Sequence, residues 1–239
     1  MPMQDFHLHH HEEHSRSSDL LRDIVIGMSD GLTVPFALAA GLSGALAADA
    51  TDLVVIAGLA EIAAGSIAMG LGGYLAGQTQ IDHYNAELKR EYDEVERVPE
   101  KERDEVREFF EGLGLSAEVQ NKAVEELTKD KDRWVGFMMK HELGLDKPDE
   151  KRARKSAFNI GFSYIVGGLI PLIPYRFVST TLDGLKISAI ITLLCLFIFG
   201  YYKSKMTGVS PIGGALKVMF IGAIAATAAF GIARLIVGV

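Results

Sequence analysis

Residues 91–105 read EYDEVERVPEKERDE, a densely charged segment that lies between hydrophobic parts of the chain. It holds two glutamate pairs of equal spacing, Glu91 with Glu94 and Glu102 with Glu105. A helix turns about 100° per residue, so one continuous helix would place all four side chains within an arc of about 80°. Pro99 lies between the pairs, and a kink there would shift one pair relative to the other. The spacing alone also fits an ordinary solvated helix.

A second group of residues follows near the end of the same charged region. Met139 lies three residues before Glu142, and Met138 lies four before it, so a helix can point all three side chains the same way. Carboxylates alone suit hard cations, whereas thioether sulfur favours softer divalent metals such as Fe²⁺, Co²⁺ or Zn²⁺. The simpler interpretation of the two methionines is core packing.

The charges are concentrated between residues 78 and 155, which hold 16 of the 24 Lys and Arg and 21 of the 31 Asp and Glu. This composition is typical of a membrane domain with a soluble insert. The net charge of −7 argues against a nucleic-acid partner and favours cations. The lone Cys195 excludes a disulfide framework and a thiolate metal site. We find no nucleophile and base arrangement and no phosphate-binding loop, so the chain is not expected to be an enzyme.

Five hydrophobic segments are each long enough to cross a hydrocarbon core of about 30 Å. They cover residues 24–48, 53–77, 157–175, 185–202 and 213–239. We therefore predict an all-α polytopic membrane protein with five transmembrane helices. The expected divisions are a polar tail (1–19), spans one and two (20–77), a cytoplasmic three-helix insert that binds metal (78–155), and spans three to five (156–239). The tail is rich in histidine, which binds metal loosely or belongs to a disordered segment: His7, His9, His10, His11 and His14.

The distribution of basic residues orients the spans. Lys and Arg lie at both ends of the insert, before the first span and in the loop between the fourth and fifth spans. The loops on the opposite side of the membrane have few basic residues. The N-terminus and the insert are therefore expected in the cytoplasm. Small-residue pairs at four-residue spacing, Gly27 with Gly31 and Gly73 with Gly77, suggest close helix contacts and a dimer formed by the first two spans.

Acidic side chains inside a bilayer are costly and usually mark an ion path or a proton relay. Asp30 and Glu61 are the two that lie well inside predicted spans. Met69 follows Glu61 by two helical turns and shares its side of the second span. These three residues predict a metal path of two oxygens and a sulfur, although Met69 alone fits core packing.

Two span motifs carry a family resemblance. The first span contains RDIVIGMSDGL at 22–32, and the second contains GLAE at 58–61, AGS at 64–66, MG at 69–70 and YLA at 74–76. Together with the charged insert, they resemble the vacuolar iron transporter family over nearly the whole chain from Arg22.

This resemblance implies a homodimeric five-span transporter that exports Fe²⁺ from the cytosol in exchange for protons; family members also handle Mn²⁺. The divalent metal (Fe²⁺, Mn²⁺, Co²⁺ or Zn²⁺) is bound as substrate, and no prosthetic group is expected. The transport path implied is Asp30, Glu61 and Met69. The metal-collecting residues implied in the insert are Glu91, Glu94, Glu102, Glu105, Met138, Met139 and Glu142. A compact chain of this kind fits a prokaryotic plasma membrane better than a vacuolar one.

Two alternatives stay open from the sequence. One is a membrane-anchored metal sensor or buffer that does not transport, against which the buried carboxylates argue because an anchor does not need them. The other is a transporter mainly for Mn²⁺, which tolerates an oxygen-rich site.

Overall fold

The computed structural model describes residues 14–238, and side chains from residue 19 onward. The histidines from His7 to His11 lie outside the described residues. Within the described range the chain is helical and contains no strand. The helices are α1 (His14–Ala45), α2 (Thr51–Arg97), α3 (Pro99–Gly112), α4 (Ala117–Leu127), α5 (Lys131–His141), α6 (Arg152–Leu172), α7 (Thr181–Met206) and α8 (Pro211–Val237), with a 3₁₀ turn at Ile173–Arg176.

Five of these helices, α1, α2, α6, α7 and α8, are long and apolar enough to cross a membrane, as the sequence predicted. Helix α2 has 47 residues, which at 1.5 Å per residue is about 70 Å and more than twice a hydrocarbon core. Its apolar part ends near Gly77, and its remaining residues are mostly polar or charged. Glu91 therefore lies beyond the membrane-spanning part of α2.

The chain divides into two compact units, one formed by the residues up to Tyr74 and from Arg154 on, and the other by Leu75–Ala153. The first unit contains the apolar helices. Its cores are small clusters such as Ala39, Val54, Ile62, Leu172 and Tyr175.

Close packing of α1 against α6 depends on glycine. A Cβ at Gly27 would overlap the carbonyl oxygen of Ile160, and a Cβ at Gly31 would overlap that of Tyr164. On α2, a Cβ at Gly73 would meet the Ile160 side chain at 2.6 Å. These glycines therefore bring helices of one chain together, and their spacing does not by itself indicate a dimer interface. A dimer formed by the first two spans therefore stays a prediction.

The second unit is a small helical bundle around an apolar core. Val106 and Val135 are fully buried there, and Trp134, Met138 and Met139 are nearly so. The spacing of the glutamate pairs suggested one helix with a kink at Pro99, but α2 ends at Arg97 and Pro99 begins α3. Proline suits the first turn of a helix because its missing N–H has no helical partner there. Asp130 caps α5 by accepting a hydrogen bond from the Arg133 N–H at 3.0 Å.

Candidate metal centres

Three glutamates of the insert converge on one point. Glu91 comes from α2, Glu102 from α3, and Glu142 follows the last turn of α5. One carboxylate oxygen from each lies within 4.8 Å of the others. Two oxygens on opposite sides of a first-row divalent ion are about 4.2 Å apart, so small side-chain movements would let all three share an ion.

Two of these carboxylates are removed from water. Glu91 and Glu102 are each only 1% exposed, whereas Glu142 is exposed. One oxygen of each buried group, Oε2 of Glu91 and Oε1 of Glu102, has no hydrogen-bond partner among the residues that the structure describes. A buried polar atom without a partner is costly and calls for an explanation, of which an absent ion is one.

The pKa values of the three carboxyl groups agree with a cation-binding site. Burial, followed by the negative charges of neighbouring glutamates, raises the pKa of Glu91 from its ordinary 4.5 to about 7. The same causes, in the same order, raise the pKa of Glu102 to about 7. Burial and the nearby Glu105 also raise the pKa of Glu142. At neutral pH the cluster therefore holds protons that a divalent ion could displace.

The remaining predicted ligands of the insert fall into two groups. Glu94 and Glu105 are half-buried at the edge of the cluster, and both act electrostatically on Glu91 and Glu102. Met138 and Met139 are each 1% exposed and pack in the apolar core of the insert with Trp134. The structure thus brings the glutamates together, and a ligand role for the methionine sulfurs stays a prediction.

A second candidate site lies among the membrane helices. The hydroxyl of Tyr164, on α6, donates a hydrogen bond to Oε1 of Glu61, on α2. The other oxygen of Glu61, Oε2, is buried and has no hydrogen-bond partner within the described part of the chain. The Asp30 carboxylate of α1 lies close enough to act electrostatically on the Tyr164 hydroxyl. Three helices therefore contribute polar groups to one place inside the apolar unit.

Glycines make room for Tyr164 between α1 and α2. A Cβ at Gly65 would lie 2.5 Å from the Tyr164 hydroxyl oxygen, and Gly31 lies against the Tyr164 backbone. Sequence reasoning missed Tyr164. The available signal was a hydroxyl in the middle of an apolar span, where a polar group needs a partner because water is absent.

Glu61 also borders an open, apolar groove of about 610 Å³. The groove runs between α1, which contributes Val34 and Leu38, and α8, which contributes Ala229. Met69 is half-buried two turns beyond Glu61. Glu61 thus lies beside this groove and is held by the Tyr164 hydroxyl.

These features define a multi-pass helical membrane protein with a cluster of three carboxylates in one unit and a tyrosine-bound glutamate in the other. Comparison with known proteins identifies the group. The profile of the VIT family matches residues 21–234, and the chain belongs to that family.

The chain is 50% identical over 228 residues to vacuolar iron transporter 1 of Arabidopsis thaliana, covering 95% of this chain and 90% of that one. It is 51% identical over 225 residues to vacuolar iron transporter 1 of Eucalyptus grandis, covering 94% and 90%. Protein CCC1 of Saccharomyces cerevisiae is 39% identical over 227 residues, covering 91% of this chain and 69% of the yeast protein. The two plant relatives are named as transporters, which agrees with the interpretation that the chain is not an enzyme.

Proposed function

We propose that this protein carries Fe²⁺ out of the cytosol across a membrane in exchange for protons. The observation that carries the proposal is the buried, unpartnered oxygen of Glu61, held in place by Tyr164 inside a membrane unit. A bilayer makes such a carboxylate expensive, so its presence favours an ion path over a passive anchor. Similarity to proteins named vacuolar iron transporters supports iron as the cargo.

The two sites would have different roles, one in collecting metal and the other in transporting it. The insert would collect metal with Glu91, Glu102 and Glu142, assisted by Glu94 and Glu105, and raise its concentration beside the membrane. The convergence of three carboxylate oxygens supports this role. Metal would then pass to the path formed by Asp30, Glu61 and Met69.

Proton exchange follows from the same chemistry. A carboxylate must lose its proton before it binds a metal ion, so metal binding and proton release are linked. The raised pKa values of Glu91 and Glu102, about 7, place this exchange near neutral pH in the insert. In the membrane, Glu61 would hold a metal ion and a proton alternately, which gives antiport.

The proposal includes the orientation of the chain, its membrane and its oligomeric state. The basic residues at both ends of the insert favour a cytoplasmic N-terminus and insert. The sequence favours a prokaryotic plasma membrane, while the plant relatives carry vacuolar names. We also propose a homodimer, because the open groove beside Glu61 is apolar and one chain offers few ligands for a path.

Transport into sealed vesicles tests the proposal. Purified protein is placed in liposomes that contain a metal-quenched dye, and Fe²⁺ entry is measured with and without a pH gradient. Glu61→Gln keeps the size of the side chain and removes its charge, so the protein should still fold. Loss of one charged ligand weakens an interaction by about 1.5–3 kcal/mol, so transport should fall roughly 10- to 100-fold.

The matched control is Asp52→Asn, which neutralises an exposed carboxylate at the first turn of the same helix. It should transport as the wild type does. Wild-type protein that binds Fe²⁺ but never admits it to the vesicles would support the sensor or buffer instead. Replacing Fe²⁺ with Mn²⁺ in the same vesicles decides the preferred cargo.

A further inference from the structure

Two basic side chains stand at the edge of the glutamate cluster of the insert. The Lys101 ammonium lies 2.7 Å from Oε1 of Glu105, one turn further along α3. Arg90, on α2, lies 2.5 Å from Oε2 of Glu87 and 3.8 Å from Oε2 of Glu94. Each cation therefore contacts one of the two glutamates that border the buried carboxylates.

Their charges also reach the centre of the cluster. Lys101 and Arg90 both oppose the rise in the pKa of Glu142. Arg90 acts in the same sense on Glu91, and Lys101 interacts with Glu102 and Glu94. The metal-free cluster is thus partly neutralised by the protein itself.

We propose that Lys101, with Arg90, is a built-in competitor for metal at this cluster, lowering its affinity and speeding release of the ion. The inference rests on the proposed role of the cluster in collecting metal. An ion that uses Glu105 must displace the ammonium, and the remaining positive charge repels it. A site that hands its ion to a membrane path needs such weakening, because five carboxylates without counter-ions would retain a divalent cation.

The insert offers a matched pair for the test. Lys122 also lies 2.7 Å from a glutamate, Glu118, at the same four-residue spacing on α4. Both lysines are well exposed, Lys101 by 68% and Lys122 by 71%, so neither substitution should disturb folding. The pairs differ in that Lys101 borders the glutamate cluster, whereas Glu118 and Lys122 do not act on its carboxylates.

The experiment titrates Co²⁺ into the purified full-length protein at pH 7.5 and low salt. The single tryptophan, Trp134, is buried in the core of the insert, so quenching of its fluorescence reports binding there. Rapid mixing with a chelator then gives the release rate. Lys101→Gln should bind Co²⁺ about five- to tenfold more tightly and release it more slowly, since a like charge within several ångströms is removed. Lys101→Arg keeps the positive charge and should bind Co²⁺ with the wild-type affinity. Lys122→Gln should also bind Co²⁺ with the wild-type affinity.

The difference between Lys101→Gln and wild type should shrink as salt is added, because the repulsion is screened. Equal affinities for the wild type and Lys101→Gln would overturn the inference while leaving the metal site in place. Equal tightening by Lys122→Gln would also overturn it, since only overall charge would then matter. Absence of saturable Co²⁺ binding by the wild type would instead refute the metal-collecting function itself.

Discussion

Neutralising Glu102 should stabilise the metal-free insert at high pH. The pKa of Glu102 is raised from 4.5 to about 7 by burial and by neighbouring glutamates. Stability that depends on the protonated form is therefore fully present below about pH 4.5 and is lost as the pH rises through 7. In Glu102→Gln the side chain is neutral at every pH, so this loss should disappear.

The magnitude follows from the two pKa values. Each pH unit between 4.5 and 7 lowers the free energy of unfolding by about 1.4 kcal/mol. The ionised carboxylate therefore destabilises the folded insert by about 3 kcal/mol at pH 8. The buried amide N–H of the glutamine lacks a partner and costs about 1 kcal/mol, which offsets part of this gain in stability. We expect Glu102→Gln to be more stable than the wild type by about 2 kcal/mol at pH 8, and nearly equal to it at pH 5.

The assay is urea unfolding of the full-length protein in detergent with a chelator present. Trp134 is 4% exposed in the core of the insert, and as the only tryptophan it reports the unfolding of that unit. A gain of about 2 kcal/mol moves the urea midpoint by roughly 1 M. Glu118→Gln, at an exposed site in the same insert, should change stability by less than about 0.5 kcal/mol at either pH. A Glu102→Gln protein that is no more stable than the wild type at pH 8, or equally stabilised at pH 5, would refute the reasoning.

Two further predictions concern the membrane unit. Tyr164→Phe removes the hydroxyl that orients Glu61, so maximal Fe²⁺ transport should fall about tenfold with an altered pH profile, while Co²⁺ binding to the insert stays unchanged. The control is Tyr202→Phe, at an exposed position of α7. Wild-type transport by Tyr164→Phe would show that the hydroxyl is dispensable. For the homodimer, Val34→Cys in a Cys195→Ser background should cross-link efficiently because Val34 is exposed beside the groove, whereas trapping only from Ile190→Cys on α7 would place the contact elsewhere.

Several features of this protein could be predicted from the sequence because they depend on local patterns. Runs of apolar residues of membrane-spanning length are visible in any window of about 20 residues, and the charged insert contrasts with them. All five predicted spans are helices in the structure. The short helices of the insert also begin and end at residues typical of helix ends, since Ser116 precedes α4, Asp130 precedes α5 and Gly144 follows α5.

The sites themselves depend on contacts between residues distant in sequence. Glu91 and Glu102 were expected on one helical face, but they meet because the chain breaks before Pro99 and a second helix packs on the first. Glu142 joins them from a third helix. No periodicity within one segment encodes that convergence, since it is decided by how the apolar faces of four helices form a common core.

The membrane site shows the same division. The sequence alone determined that Glu61 lies in an apolar span and therefore needs an explanation. Only the tertiary structure decided that Tyr164, 103 residues later, supplies its hydrogen bond, and that Gly31 and Gly65 make room for the ring. Hydrophobicity is a property of each residue and can be summed along a chain, whereas close packing depends on the shapes of surfaces that meet only after folding.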